Sequence, residues 1–196
     1  MMKVTRAQAD ENKARIIDVA SQLFRQHGFD GIGIVDVMKQ AGLTHGGFYG
    51  NFKSKEDLAA RASEHAFDTS RALWHSFDGM KPEEELAAII GTYVSARHRD
   101  NPQSGCALTA LAPDAARQND GVRAVFGRAI RSYLAMLSGL VPGRTAAARR
   151  KRALATLSEM VGAVILARAA DDPALSDEIL EATLAHLLPA KGRPAA

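Results

Sequence analysis

Apolar residues recur at intervals of three and four along most of the chain, and strict alternation bounded by turn residues is absent. The pattern predicts an all-α fold of about nine helices. The first stripe is Ile16, Ile17, Ala20, Leu23, Phe24 and His27, within a helix read from Asp10 to His27, with Lys13, Arg15, Asp18 and Arg25 off the stripe. Gly28 is placed to stop that helix in the left-handed region. Gly33 can act as N-cap of a short helix whose inward face is Ile34, Val37 and Met38, and Gly42 ends it after Ala41. Thr44 then caps a helix of barely two turns, Thr44 to Asn51, with Leu43 and Phe48 pointing inward.

That register leaves Thr44, His45, Gly46, Tyr49 and Asn51 on the exposed side. Gly46 and Gly47 are poor helix formers, at roughly 1 kcal/mol each relative to alanine, which suits a backbone that must approach another surface closely. Lys53 and Lys55 bracket Ser54, which caps the next helix with Asp57 at its third position. A helix amino terminus flanked by lysines can receive a phosphate. Short helix, glycine turn, short polar helix and lysine-flanked cap have the grammar of a helix-turn-helix, in which the second helix enters a DNA major groove. The same spacing also fits a plain helical hairpin with a solvated lysine face.

Beyond the head every segment reads helical. A helix from about Ser54 to Phe77 carries the stripe Leu58, Ala62, His65, Ala66, Thr69, Leu73 and Phe77. Gly79 and Pro82 separate it from a helix over roughly Glu83 to His98. Residues 101–105 form a loop by composition, Cys106 starts the next helix, and Pro113 is expected to kink or restart it. Asp120-Gly121 opens a strongly periodic helix that Pro142-Gly143 closes, and two more follow, Thr145 to Ala170 and Ser176 to Leu188. These last two mix leucine with small residues, which permits close helix approach. Ordinary core packing and a self-complementary seam are both compatible with that pattern.

Gly28-Phe29, Asp36-Val37, Ala41-Gly42-Leu43-Thr44, Gly46, Phe48-Tyr49, Phe52 and Ser54-Lys55 resemble the amino-terminal motif of TetR/AcrR-type transcriptional regulators over about 45 residues. The resemblance implies a helix-turn-helix DNA-binding domain over residues 8–55, a ligand-binding and dimerisation domain over 56–190, and flexible tails at 1–7 and 191–196. It places the recognition helix at 44–51, with Thr44, Tyr49 and Lys55 on phosphates and His45 and Gly46 at base edges. With Gly33, Asn51 and Lys53 these make the candidate DNA-binding set. The implied partners are a double-stranded inverted-repeat operator, a second copy of the chain and a small effector. For the homodimer interface the resemblance points to Leu154, Leu157, Val161, Val164, Leu180, Leu184 and Leu187. Candidate effector-pocket walls are Phe67, Trp74, Tyr93, Cys106, Leu108, Phe126, Ile130 and Tyr133, although an aromatic stripe at helical spacing is usually packing. The family usually has hydroxyl residues where Ile32 and Gly33 stand, a lysine at His45 and a bulkier residue at Gly50, so base preference does not carry over.

Composition narrows the classes. At 196 residues and 46% apolar the chain can form a real core, and no window approaches 18 consecutive apolar residues. No basic-then-apolar signal pattern is present, which points to a soluble cytoplasmic protein without a membrane partner. One cysteine rules out an intrachain disulfide framework, and no metal or cofactor is expected. Residues 1–55 hold eight Lys/Arg against five Asp/Glu, matching the whole net charge of +3, so the cationic excess lies in the head. A basic run, Arg144, Arg149, Arg150, Lys151 and Arg152, opens the Thr145 helix, where positive charge is mildly unfavourable.

No catalytic residues are assigned. Ser95, His98 and Asp100 are near in sequence only, since a triad is a matter of geometry. Cys106 at a helix start is either an inert packing residue or a sensor, because backbone N–H groups there favour a thiolate. The reading is a ligand-responsive DNA-binding regulator, a repressor released by a small effector or electrophile. Its rivals are a small-molecule or redox-sensing protein acting without DNA, and an all-α hydrolase.

Overall fold

The structure is a computed structural model that describes residues 5–188. The expected tails lie outside the described residues, apart from 5–7. Among the described residues there are nine α-helices, two short 3-10 turns and no strand, as the apolar periodicity requires. They are α1 Arg6–His27, α2 Ile34–Gln40, α3 Lys55–His75, α4 Pro82–Tyr93 and α5 Ala96–Asp100. Then follow α6 Ala107–Ala115, α7 Asp120–Leu140, α8 Ala146–Ala169 and α9 Pro173–Leu187. The chain divides into two compact units. One takes the chain up to Ser70 together with Pro102–Ala129, and the other takes Arg71–Asn101 and the chain from Ile130 onward.

In the first unit, α1 begins a turn earlier than expected because the Thr5 hydroxyl accepts from Gln8 N at 3.2 Å. Its stripe holds in Ile16, Ala20, Leu23 and Phe24, which are buried with Phe29, Val37, Met38, Phe48, Phe52 and Leu58. Each such large side chain contributes roughly 1.5–3 kcal/mol when removed from water. The expected helix over Thr44 to Asn51 does not form. It is a 3-10 turn, His45–Gly47, continued by further turns in which Asn51 N and Phe52 N both donate to the Phe48 carbonyl. Gly46, Gly47 and Gly50 supply little helix propensity, and the segment is too short to offset that. Pro113 sits inside α6, which runs on through it and ends two residues later.

In the second unit, the helix expected from Glu83 to His98 is two helices. Tyr93 ends α4, and Ser95 caps α5 by accepting from His98 N at 3.2 Å. The His98 ring Nδ1 sits 2.7 Å from the Tyr93 carbonyl and turns the chain there. Arg168 of α8 donates to the Arg99 carbonyl at 3.0 Å and the His98 carbonyl at 2.6 Å, satisfying the otherwise orphaned carboxyl end of α5. Arg99 in turn donates to Ser176 Oγ at 3.0 Å, and that hydroxyl donates to the Ala167 carbonyl at 2.6 Å. Helix α9 starts a turn earlier than expected, at Pro173, because Asp172 caps it. In α3, Leu73 is 50% exposed rather than on the core stripe, and Trp74 beside it is buried.

Candidate nucleic-acid interface

The head is built on three glycine- or hydroxyl-marked turns. Gly28 closes α1 at φ +76, and Gly42 closes α2 at φ +69. Gly33 is the N-cap of α2 in extended conformation, without a side chain to cap it. The third turn is the start of α3, where Ser54 Oγ accepts from Asp57 N at 3.2 Å and the Asp57 carboxylate accepts from Lys53 N at 3.1 Å. Burial pushes the Asp57 carboxyl up, but the Lys53 N–H and the Arg61 guanidinium outweigh it, so the group is held below the ordinary carboxylate range. Glu56 is lowered too, chiefly by the Ser54 hydroxyl.

Between Gly42 and Ser54 the buried anchors are Phe48 and Phe52, ring centroids 5.5 Å apart. They hold the turn against the core, so most of its remaining side chains face outward. Thr44, His45, Gly46 and Lys53 are exposed, and Tyr49 is 66% exposed. The Thr44 hydroxyl makes no capping bond, although the residue occupies the N-cap position. Tyr49 stands edge-on between Phe48, 5.2 Å away, and His45, 5.9 Å away. Lys55 is half-buried as the first residue of α3. Asn51 departs from the exposed face: its amide donates to the Gly47 carbonyl at 2.8 Å and closes the turn.

Two polar contacts that no sequence spacing announces tie α1 to both ends of α6. Arg25, expected off the apolar stripe, is buried. Its Nε donates to the Ser21 carbonyl at 3.0 Å, and its Nη1 donates to the Gly105 carbonyl at 2.8 Å. Burial pulls its pKa below the ordinary arginine value, against the opposing influence of Cys106 and Asp18. At the other end, Phe29 N donates to Asp114 Oδ2 at 3.4 Å. A Cβ on Gly28 would lie 2.7 Å from that oxygen, the movable end of the Asp114 side chain, so it is the positive φ that favours glycine there.

Residues 16–62 match the family model of bacterial regulatory proteins, tetR family. Residues 16–62 thus carry an amino-terminal domain of the TetR type. The chain is 40% identical over 89 residues to the HTH-type transcriptional regulator AcrR of Shigella flexneri, covering 45% of the chain and 41% of that protein. It is 33% identical over 92 residues to the uncharacterized HTH-type transcriptional regulator YfiR of Bacillus subtilis, covering 47% of the chain and 43% of that protein. The matched segment thus spans less than half the length of these curated relatives. Among solved structures, a TetR transcriptional regulator from Chloroflexus aurantiacus superposes at TM-score 0.77 with 26% identity over 92% of this chain and 94% of its own. Escherichia coli NemR in its reduced form superposes at TM-score 0.78 with 20% identity, over 95% and 100%, a likeness of fold alone.

The pocket candidates fall in both units. Phe67, Cys106, Leu108 and Phe126 are buried in the first, where the Phe67 and Phe126 rings meet edge-on at 5.0 Å. Trp74, Tyr93 and Tyr133 are buried in the second, with Trp74 4.5 Å from Tyr133 and 6.0 Å from Tyr93, while Ile130 is exposed. The dimer candidates also separate. Val164, Leu157 and Leu180 are core of the single chain, and Val164 at 0% exposure has no surface to offer a partner. Leu154 is exposed, and Val161, Leu184 and Leu187 are half-buried. Leu166 and Leu175, absent from the expected seam, are exposed on α8 and α9. Ser95, His98 and Asp100 do not assemble as a triad: the imidazole faces the Tyr93 carbonyl and the Asp100 carboxylate pairs with Arg99 at 2.7 Å. Among the described residues no helix is long and apolar enough to cross a membrane.

Proposed function

We propose that this chain is a DNA-binding transcriptional repressor that acts as a homodimer on an inverted-repeat operator and lets go when its body takes up a small effector or electrophile. Residues 8–55 are its reading head, 56–190 its body, and it works in the cytoplasm on the nucleoid. The carrying observation is the turn after Gly42, which buries Phe48 and Phe52 and thereby presents Thr44, His45, Gly46 and Tyr49 beside the lysine-flanked cap of α3. Thr44, Tyr49, Lys53 and Lys55 suit phosphates; His45, beside the bare Gly46 backbone, suits base edges. In the dimer, the exposed Leu154, Leu166 and Leu175 with half-buried Val161, Leu184 and Leu187 meet their copies.

Release starts within the first unit. Cys106 is the N-cap of α6 and lies in electrostatic reach of Arg25, so charge or bulk on its sulfur would disturb the Arg25–Gly105 contact. That contact and Asp114–Phe29 lead directly to α1 and the head.

The test uses duplexes enriched from a random library by the wild-type protein. Tyr49→Ala and Lys55→Ala should weaken binding evenly across sequences, each flattening the log–log salt slope by about 0.9. His45→Ala should change base preference at one or two positions per half-site. Unchanged affinity, slope and preference in all three variants, or no enrichment at all, would overturn the reading. Cys106→Ser should bind DNA as wild type does but lose release by hypochlorite or a quinone; a Ser variant that still responds assigns release to a noncovalent ligand.

A further inference from the structure

The basic run that opens α8 has no role in the head, and its surroundings are specific. A groove of about 480 Å3 is lined by Pro142, Gly143, Ala148, Lys151, Arg152 and Ala155. Small-molecule sites occupy roughly 300–1,000 Å3. Ala148, Lys151, Arg152 and Ala155 stand at i, i+3, i+4 and i+7, one face of α8, whereas Ala153, Thr156, Leu157 and Met160 are buried on another. Between residues 139 and 158 lie Arg144, Arg149, Arg150, Lys151 and Arg152, with no Asp or Glu. Arg149 donates to the Gly143 carbonyl at 3.2 Å and Arg152 to the Pro142 carbonyl at 3.4 Å, which orients both across the connection from α7. Each keeps further N–H donors, because a guanidinium has five. Neither these two nor Arg144, Arg150 and Lys151 form an ion pair with a carboxylate of the described residues.

A purely structural role accounts poorly for this arrangement. Five like charges crowd the positive end of a helix dipole without compensation, which opposes folding. An anion in the groove would offset that repulsion, and arginine is the side chain best matched to an oxyanion. The floor of Pro142, Ala148 and Ala155 carries no polar side chain, so it suits an apolar body better than a hydrated ion. We propose that this groove binds a small amphipathic oxyanion, a phosphate, sulfate or carboxylate head on a short alkyl or aryl body, with Lys151 and Arg152 on the head and Pro142, Ala148 and Ala155 on the body.

Calorimetric titration of the full chain with decyl phosphate, decyl sulfate and decanoate, each below its aggregation concentration, identifies the preferred head. Inorganic phosphate and decanol serve as the charge-only and apolar-only controls. Lys151→Gln combined with Arg152→Gln should weaken decyl phosphate by about tenfold or more, the loss of one good charged contact. Ala155→Leu, which keeps every charge but fills the groove, should weaken it comparably, and both proteins should melt as wild type does. Decyl phosphate bound equally by wild type and both variants would overturn the proposal. So would inorganic phosphate binding as tightly as decyl phosphate. Heparin-fragment binding that needs Lys151 and Arg152 but survives Ala155→Leu, with no decyl phosphate binding, would replace the small ligand by a polyanion.

Discussion

The glycine-rich turn of the head and the α8–α9 pair solve opposite problems. Between Gly42 and Ser54, two phenylalanines anchor a segment with almost no helix of its own, and the polar groups around them face solvent. In α8 and α9 regular helices carry apolar residues on more than one face. One face is core, with Val164, Met160 and Leu180, and another leaves Leu154, Leu166 and Leu175 uncovered. Polar groups in the second unit are enlisted over long separations, as with Arg168 to His98 and Arg99 to Ser176, whereas those of the turn bond locally. A short, punctuated segment therefore announces its outward side chains, and a long uniform helix does not say which of its apolar faces is the inner one.

The sharpest way to break this comparison is to put the same charge on both faces of α8. Val164→Asp would bury a carboxylate without a partner and should lower stability by roughly 3–5 kcal/mol, enough to unfold a marginal chain. Leu166→Asp, at 59% exposure, should stay within about 0.5 kcal/mol of wild type by chemical denaturation extrapolated to the monomer. In sedimentation it should instead weaken the proposed dimer. Equal losses of stability at the two positions would mean that the two faces are not distinct.

How much of this was legible follows from the same contrast. Gly28, Gly33, Gly42 and Ser54 were readable because each acts through its own backbone or the next turn. The exposed Thr44, His45, Gly46 and Tyr49 followed from the buried Phe48. The missing helix after Thr44 was signalled by Gly46 and Gly47, yet the helical periodicity around them outweighed that warning. Arg25–Gly105 and Asp114–Phe29 join residues far apart in sequence, and nothing local in an arginine or aspartate names a distant carbonyl or N–H. Val164 and Leu154 are both aliphatic residues of α8, and only packing separates them.

A second, intermediate effect lies in pH. Burial pulls the His98 imidazole down to about 4, against the Tyr93 carbonyl that favours the charged ring, and Arg168 adds to the lowering. An unfolded chain binds that proton near the ordinary value of about 6.5. Between those values the unfolded state carries more protons, so stability is full above the ordinary value and falls as pH drops toward 4. His98→Asn should remove that part of the slope in urea titrations across the window. The turn has no counterpart there, since Asp57 and Glu56 are held below the ordinary carboxylate range and lose their contribution only in stronger acid. An unchanged slope in the Asn variant would place the titrating group elsewhere.

The smallest effects divide the turn itself into what builds it and what it presents. Asn51 closes it through its amide to the Gly47 carbonyl, so Asn51→Ala should lower stability by about 1 kcal/mol, the usual net worth of such a bond. Tyr49→Phe keeps the ring against Phe48 and His45 and removes only an exposed hydroxyl, so stability should stay within about 0.5 kcal/mol. On DNA the ranking should invert. The Tyr49 variant should lose affinity evenly across sequences, because a phosphate contact carries no base information. The Asn51 variant should bind with wild-type preferences, weakened only as the turn loosens. Urea unfolding and a half-site preference profile, measured on both proteins, decide the matter. If Asn51→Ala alters base preference while stability is untouched, its amide leaves Gly47 on DNA and reads a base, and the division drawn here between builder and reader fails at that residue.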